Sequence, residues 1–187
     1  MAAFQGFASR AELRLAVPDS AGTLGDLAGL PSDRLELLRG ERAGQHGIRI
    51  NAQWRICFHW TDEGPCDVGI VDHHRGRSDM NAGDGMKPVH PGEILRNELD
   101  EIWLSAKALS KALGVPVNRV TMILNGWRGV SADTALRLAR YFGTTPQLWL
   151  NLQKTWELRQ AEMVAGQEIA RRVTPWPLAA PGALVDA

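Results

Sequence analysis

The sequence predicts two units of different fold class: an α+β half with a small antiparallel sheet over residues 1–74, and an all-α helix-turn-helix domain over residues 86–162. Three observations lead there. Residues 46–60, HGIRINAQWRICFHW, alternate apolar and polar side chains with the period of a half-buried strand pair. Residues 104–129, LSAKALSKALGVPVNRVTMILNGWRG, repeat apolar residues at helical spacing on both sides of Gly114. Between these stretches Arg75–Gly85, RGRSDMNAGDG, is polar, contains glycine and has no apolar period, which is the composition of a linker.

In the first half Ile48, Ile50, Trp54, Ile56, Phe58 and Trp60 share one strand face, and Arg49, Arg55, Cys57 and His59 share the other. A turn at Asn51-Ala52-Gln53 sets Ile50 opposite Trp54 and Ile48 opposite Ile56. It also sets Arg49 directly across from Arg55, two like charges that oppose folding. A second turn at Thr61–Pro65 returns Cys66–Val71 as a third strand. With Trp60 against Cys66, Val71 lies beside Arg55 and His73 emerges on the arginine face; one bulge exchanges His73 for His74.

Such a group suits cleavage of an RNA phosphodiester. Arg49 and Arg55 supply cations for a phosphorane-like transition state, His73 or His74 transfers protons, and Arg42, in the loop before the first strand, adds a substrate contact. The alternative is a solvated strand face whose arginines project apart.

The second unit opens at His90-Pro91-Gly92-Glu93 with a helix carrying Ile94, Leu95, Leu99, Ile102 and Trp103 on one stripe. Ser105 caps the next helix, whose Ala106, Leu109 and Leu113 recur at helical spacing. Small Ser110 allows a close helix crossing, and Gly114 can take the positive φ of the turn. Pro116 then suits the start of a helix with Val120, Ile123 and Leu124 inward and Val117, Asn118, Arg119, Thr121 and Met122 outward.

The outward set can read DNA: Asn and Arg pair with purine edges in the major groove, and Val, Thr and Met pack on thymine methyls. Asn125, Arg128 and the Gly126–Gly129 backbone suit phosphates. Residues 102–132 carry Lys107, Lys111, Arg119 and Arg128 and no acidic side chain, so the span meets a phosphate backbone without repulsion. Any other pair of amphipathic helices is the alternative.

Ser131 caps a further helix through Phe142, with Ala135, Leu138, Ala139 and Phe142 inward and Gly143 closing it. Thr145-Pro146 starts the last. Its Leu148, Trp149, Leu152 and Trp156 form a large apolar surface that fits either a two-fold dimer contact or packing within the chain. Residues 163–187 read as a loosely ordered tail.

With 44% hydrophobic residues, the 187-residue chain can bury ordinary cores. The zero net charge hides an asymmetry: residues 1–76 hold 8 basic and 10 acidic side chains, and residues 86–162 hold 10 and 7. No stretch has the roughly 20 apolar residues needed to cross a bilayer, and the N-terminus lacks a secretory pattern, so a cytoplasmic protein is expected. Cys57 and Cys66 lack metal-site spacing and are expected as free thiols; neither a metal nor a cofactor is implied.

Both halves resemble known partners. Leu30–His74 resembles the C-terminal part of HigB toxins, of the RelE-like ribosome-dependent mRNA interferases. Residues 86–162 resemble a nearly complete HigA antitoxin, with HPGEIL, ALGVP, NG.RG, SADTALRLAR and WLNLQ in order. The resemblance implies a five-helix lambda-repressor-like domain, of the XRE type, that neutralises a toxin and represses a shared operator as a dimer.

Met86 stands where a separate antitoxin would begin, which points to a fusion through Arg75–Gly85. The toxin half departs from its family. Met1–Gly29 is shorter than the usual opening helical region, a truncation; the terminal Asp-Tyr-His stands as Asp72-His73-His74; and the loop lysine of many relatives is Arg39.

Three functions follow as expectations. The first is an antitoxin and autorepressor binding double-stranded operator DNA. The second is a self-inhibited endoribonuclease acting on ribosome-bound mRNA. The third is a toxin remnant serving as a lid in cis or as a dock for a separate HigB-like toxin. A homodimer and no membrane partner are expected throughout.

Overall fold

The computed structural model describes residues 8–72, 80–81 and 88–175. The described residues open with α1 (Ala8–Ser20) and α2 (Leu24–Gly29), the second closed at its start by a capping box between Thr23 and Asp26. A five-stranded antiparallel sheet follows in chain order: β1 (Glu36–Leu37), β2 (His46–Arg49), β3 (Trp54–Thr61), β4 (Gly64–Asp72) and β5 (Met80–Asn81). Among the described residues five helices follow: α3 (Pro91–Glu101), α4 (Ala106–Leu113), α5 (Val117–Leu124), α6 (Ala132–Phe142) and α7 (Pro146–Arg172).

The register of β2 on β3 is the expected one, with Ile48 opposite Ile56 and Arg49 opposite Arg55. Arg55 also faces Val71, as the third strand required. Nearer the turn the expectation fails: Trp60 pairs with Pro65, and Cys66 faces His59. The register shifts between Cys57 and His59, across from Asp67, whose φ is +52. The extra residue in β4 is a bulge, which re-aims the strand end.

Four further differences have physical reasons. The expected linker holds a short strand, since Met80 and Asn81 pair with Ile70 and Gly69; the rest of Arg75–Gly85 lies outside the described residues, as do His73 and His74. The helix from His90 ends at Glu101, so Ile102 and Trp103 are not on its buried stripe. Trp103 takes φ +54 to reverse the chain and is 95% exposed.

The last helix runs ten residues beyond Glu162, to Arg172. Met163, Val164 and Ile169 there are exposed, so no apolar stripe marks it. Helix-favouring Ala, Glu, Gln and Arg carry it instead, with a Glu168–Arg172 pair at 2.7 Å. Residues 176–187 of the expected tail lie outside the described residues. Finally α1, which the sequence reading did not assign, buries Ala11, Leu15 and Val17 together with Arg14, and it touches both β4 and α7.

The start of α3 explains HPGEIL. His90 Nδ1 accepts from the Gly92 backbone N–H at 2.9 Å, while Glu93 accepts from the His90 N–H at 3.1 Å. Burial lowers the His90 pKa, which keeps the ring neutral and Nδ1 free to accept; the ring packs perpendicular to Trp156, with the two centroids 4.6 Å apart. A side chain at Gly92 would sit 1.9 Å from the Ile123 carbonyl oxygen, so only glycine lets α3 and α5 cross this closely.

The two halves share one apolar core. It runs from Ala11, Leu15 and Leu27 through Ile48, Ile56 and Phe58 to Leu95, Leu109, Leu138 and Trp149. Polar contacts bind the same seam. Ser32 donates its backbone N–H to Glu98 at 2.9 Å and its hydroxyl to the other oxygen of that carboxylate. Arg14, 5% exposed, donates to Ser32 and to Asp33 at 2.8 Å. Asn151 donates to the Ser20 carbonyl at 3.0 Å, and Asp26 accepts from the Thr145 N–H that opens α7. Gly29 lies against the α6 terminus, where a Cβ would come 2.9 Å from the Phe142 carbonyl oxygen.

Candidate nucleic-acid interface

Helices α4 and α5 form the helix-turn-helix as spaced. Ser105 Oγ accepts from the Ala108 N–H at 3.2 Å, and Gly114 turns the chain at φ +64. Leu109, Ser110, Leu113, Val120 and Ile123 are buried between the helices. On the outer face of α5, Val117, Asn118 and Met122 are exposed, as are Asn125 and Arg128 beyond it. Trp127, which the sequence reading did not single out, is 76% exposed beside Arg128.

Two of the expected base readers are more constrained than spacing suggested. Thr121 is half-buried, and its hydroxyl donates back to its own helix, 3.1 Å from the Asn118 carbonyl and 3.3 Å from that of Val117. Arg119 is half-buried and donates to Asp133 at 2.6 Å. Asp133 stands one residue past the acid-free span 102–132, which is why charge counting missed it. Hydrogen bonds from Arg119 and then Arg137 hold its carboxyl below the usual carboxylate range.

Another missed residue holds the far end of α5. Arg96 donates to the Leu124 carbonyl at 2.7 Å and to Asn125 Oδ1 at 3.2 Å, which closes the last turn and fixes Asn125. Its signal in the sequence was weak: a lone arginine on the polar side of α3.

Among the described residues, the docked first half leaves this face open. Its contacts fall on α3 through Glu98 and Glu101, on the end of α6, and on α7 through Thr145 and Asn151. The apolar surface of α7 is used within the chain: Leu148, Trp149 and Leu152 are at most 2% exposed, and Trp156 packs on His90.

The arginines of the sheet do not gather as expected. A cavity of about 620 Å³ is lined by Arg39, Arg42 and Arg55 together with Glu36, Glu41 and Asp72. Arg55 forms an ion pair with Glu36. Although opposite Arg55 in the ladder, Arg49 points elsewhere, donating to the Asn51 carbonyl at 3.1 Å and lining a separate cleft with Arg10, Arg34 and Asn97. Divergence relieves the like-charge pairing. Among the described residues, three carboxylates against three guanidiniums leave the cavity without surplus positive charge. Among the described residues it takes no lining from residue 88 onward.

Residues 7–74 match the RelE-like toxin of the type II toxin-antitoxin system HigB, and residues 95–149 match a helix-turn-helix family. Antitoxin HigA-1 of Vibrio cholerae is 39% identical over 94 residues, covering 48% of this chain and 84% of that protein. The chain belongs to the HigA-type antitoxins. Virulence-associated protein I of Dichelobacter nodosus is 54% identical over 78 residues, 41% of this chain and 72% of that protein. The solved Pseudomonas aeruginosa antitoxin HigA with higBA promoter covers 49% of this chain and all of its own, at 44% identity and a TM-score of 0.47. This HigA-type chain thus carries a HigB-like segment ahead of its helix-turn-helix. That segment's match starts at residue 7 and takes in α1 and α2, whereas the sequence reading began the resemblance at Leu30.

Proposed function

We propose that this HigA-type antitoxin is a sequence-specific DNA-binding repressor of its own operator that works with its toxin-like half docked in place. The observation that carries the reading is the position of the docking seam. The first half occupies α3, the α6 terminus and α7, and the outer face of α5 remains exposed. Asn118 and Arg119 read base edges, Val117, Thr121 and Met122 contribute apolar contact, and Asn125 and Arg128 bind phosphates. Two copies of the chain on a two-fold operator would place two α5 helices one duplex turn apart.

Catalysis by the first half is the less favoured reading. A developing phosphorane needs net positive charge, and among the described residues the cavity around Arg55 balances its three arginines with Glu36, Glu41 and Asp72. The toxin-like half acts on this account as a permanently neutralised partner, in the cytoplasm. A reporter driven by the DNA upstream of the chain's own gene tests the proposal. The full chain is expected to repress it, and the Asn118→Ala/Arg119→Ala double variant to release it; no repression by the full chain would refute the reading.

A further inference from the structure

The contacts of Arg119 reach beyond the recognition helix. Its guanidinium is held at 2.6 Å by Asp133, in the first turn of α6. The same carboxylate accepts from Arg137 Nε at 3.1 Å through both of its oxygens. Arg137 Nη1 in turn donates to the Leu113 carbonyl at 2.7 Å, at the residue that ends α4 beside the turn glycine. The chain of contacts therefore runs from the turn of the helix-turn-helix, through α6, back to α5.

We propose that Asp133 is a specificity-determining residue: it fixes the Arg119 guanidinium for paired hydrogen bonds to a base edge and keeps it off the phosphates. The inference rests on the reading of α5 as the recognition helix.

A free arginine carries large rotamer entropy, and a guanidinium near DNA meets more phosphate oxygens than base acceptors, so an unrestrained Arg119 adds affinity for any duplex. A carboxylate holding one edge of the fork leaves the other edge aimed outward, and its negative charge sits badly near phosphates, so the pair gains only where a base offers acceptors. Anchoring Asp133 through Arg137 to the Leu113 carbonyl makes the restraint rigid, because the anchor belongs to the motif that sets the angle of α5.

The test uses the full chain and a duplex it selects from a random pool, with a scrambled duplex as the non-specific probe. Asp133→Asn is expected to lower the ratio of specific to non-specific affinity about tenfold. Binding to the scrambled duplex should hold or tighten, and the salt slope should steepen by about one ion. In an Arg119→Ala background the same substitution must leave base preference unchanged, an outcome a merely structural role of Asp133 would not give.

Unaltered discrimination in Asp133→Asn, with Arg119→Ala defective, overturns this inference and leaves the reading of α5 intact. Loss of binding to both duplexes in parallel also overturns it. Failure of the wild type to select any duplex, or a neutral Arg119→Ala, overturns the reading of α5 itself.

Discussion

Ser32 and Glu98, 66 residues apart, are joined by two hydrogen bonds across the seam between the toxin-like and helix-turn-helix halves. Both residues are buried, Glu98 completely. Glu98→Ala would leave the buried Ser32 N–H and hydroxyl without their acceptors, at a cost of about 2 to 3 kcal/mol. A fall in Tm of roughly 5 to 10 °C is expected for a chain of this size. The neighbouring Arg34–Glu101 pair is largely exposed, and Arg34→Ala should cost less than about 1 kcal/mol. Equal effects of the two changes in calorimetry would contradict the account.

Acid should favour the folded chain through the same cluster. Burial raises the Asp33 carboxyl from 3.8 to about 7; Arg14 partly opposes this, and the charge of Glu98 adds to it. Burial also raises Glu98, against its hydrogen bonds from Ser32. A raised carboxyl keeps its proton in the folded chain after the unfolded chain has released it. Its contribution is therefore full below the unfolded value near 4 and is lost as pH rises through about 7. Tm should fall between pH 5 and pH 8, and Asp33→Asn should flatten that slope. A slope unchanged in the variant would remove Asp33 as its cause.

Because one core crosses the seam, the first half is not expected to fold by itself. Residues 1–76 alone would expose Leu15, Val17, Leu27 and Leu30, which are buried in the whole chain. The full chain should melt in one transition, and the fragment should lack a cooperative one by circular dichroism. Two separate transitions in the full chain would argue for independent domains.

Gly92→Ala tests the crossing of α3 and α5. The added carbon would meet the Ile123 carbonyl oxygen at 1.9 Å, so the helices must separate, at a cost of about 3 kcal/mol. Thermal melts of wild type and variant measure it. A variant as stable as the wild type would mean that the helices part without penalty.

The sequence made legible what rests on local pattern. The alternation over residues 46–60 gave the pairing of Ile48 with Ile56, and the caps at Ser105, Ser131 and Thr145 placed three helix starts. What escaped rests on contacts far apart in the chain. The α1 stripe contains Arg14, which reads as polar until Asp33 and Ser32 are seen around it. The bulge opposite Phe58 depends on a single left-handed residue, Asp67, that no alternation marks. Arg119 read as free because its partner, Asp133, lies on the next helix.

The central claim is that the helix-turn-helix reads DNA while the toxin-like half stays docked. Fluorescence anisotropy of the full chain, at about 0.15 M salt, on its own upstream duplex and on a scrambled one tests this most directly. A preference of at least about a thousandfold for the upstream duplex is predicted. Equal affinity for the two duplexes would contradict the account.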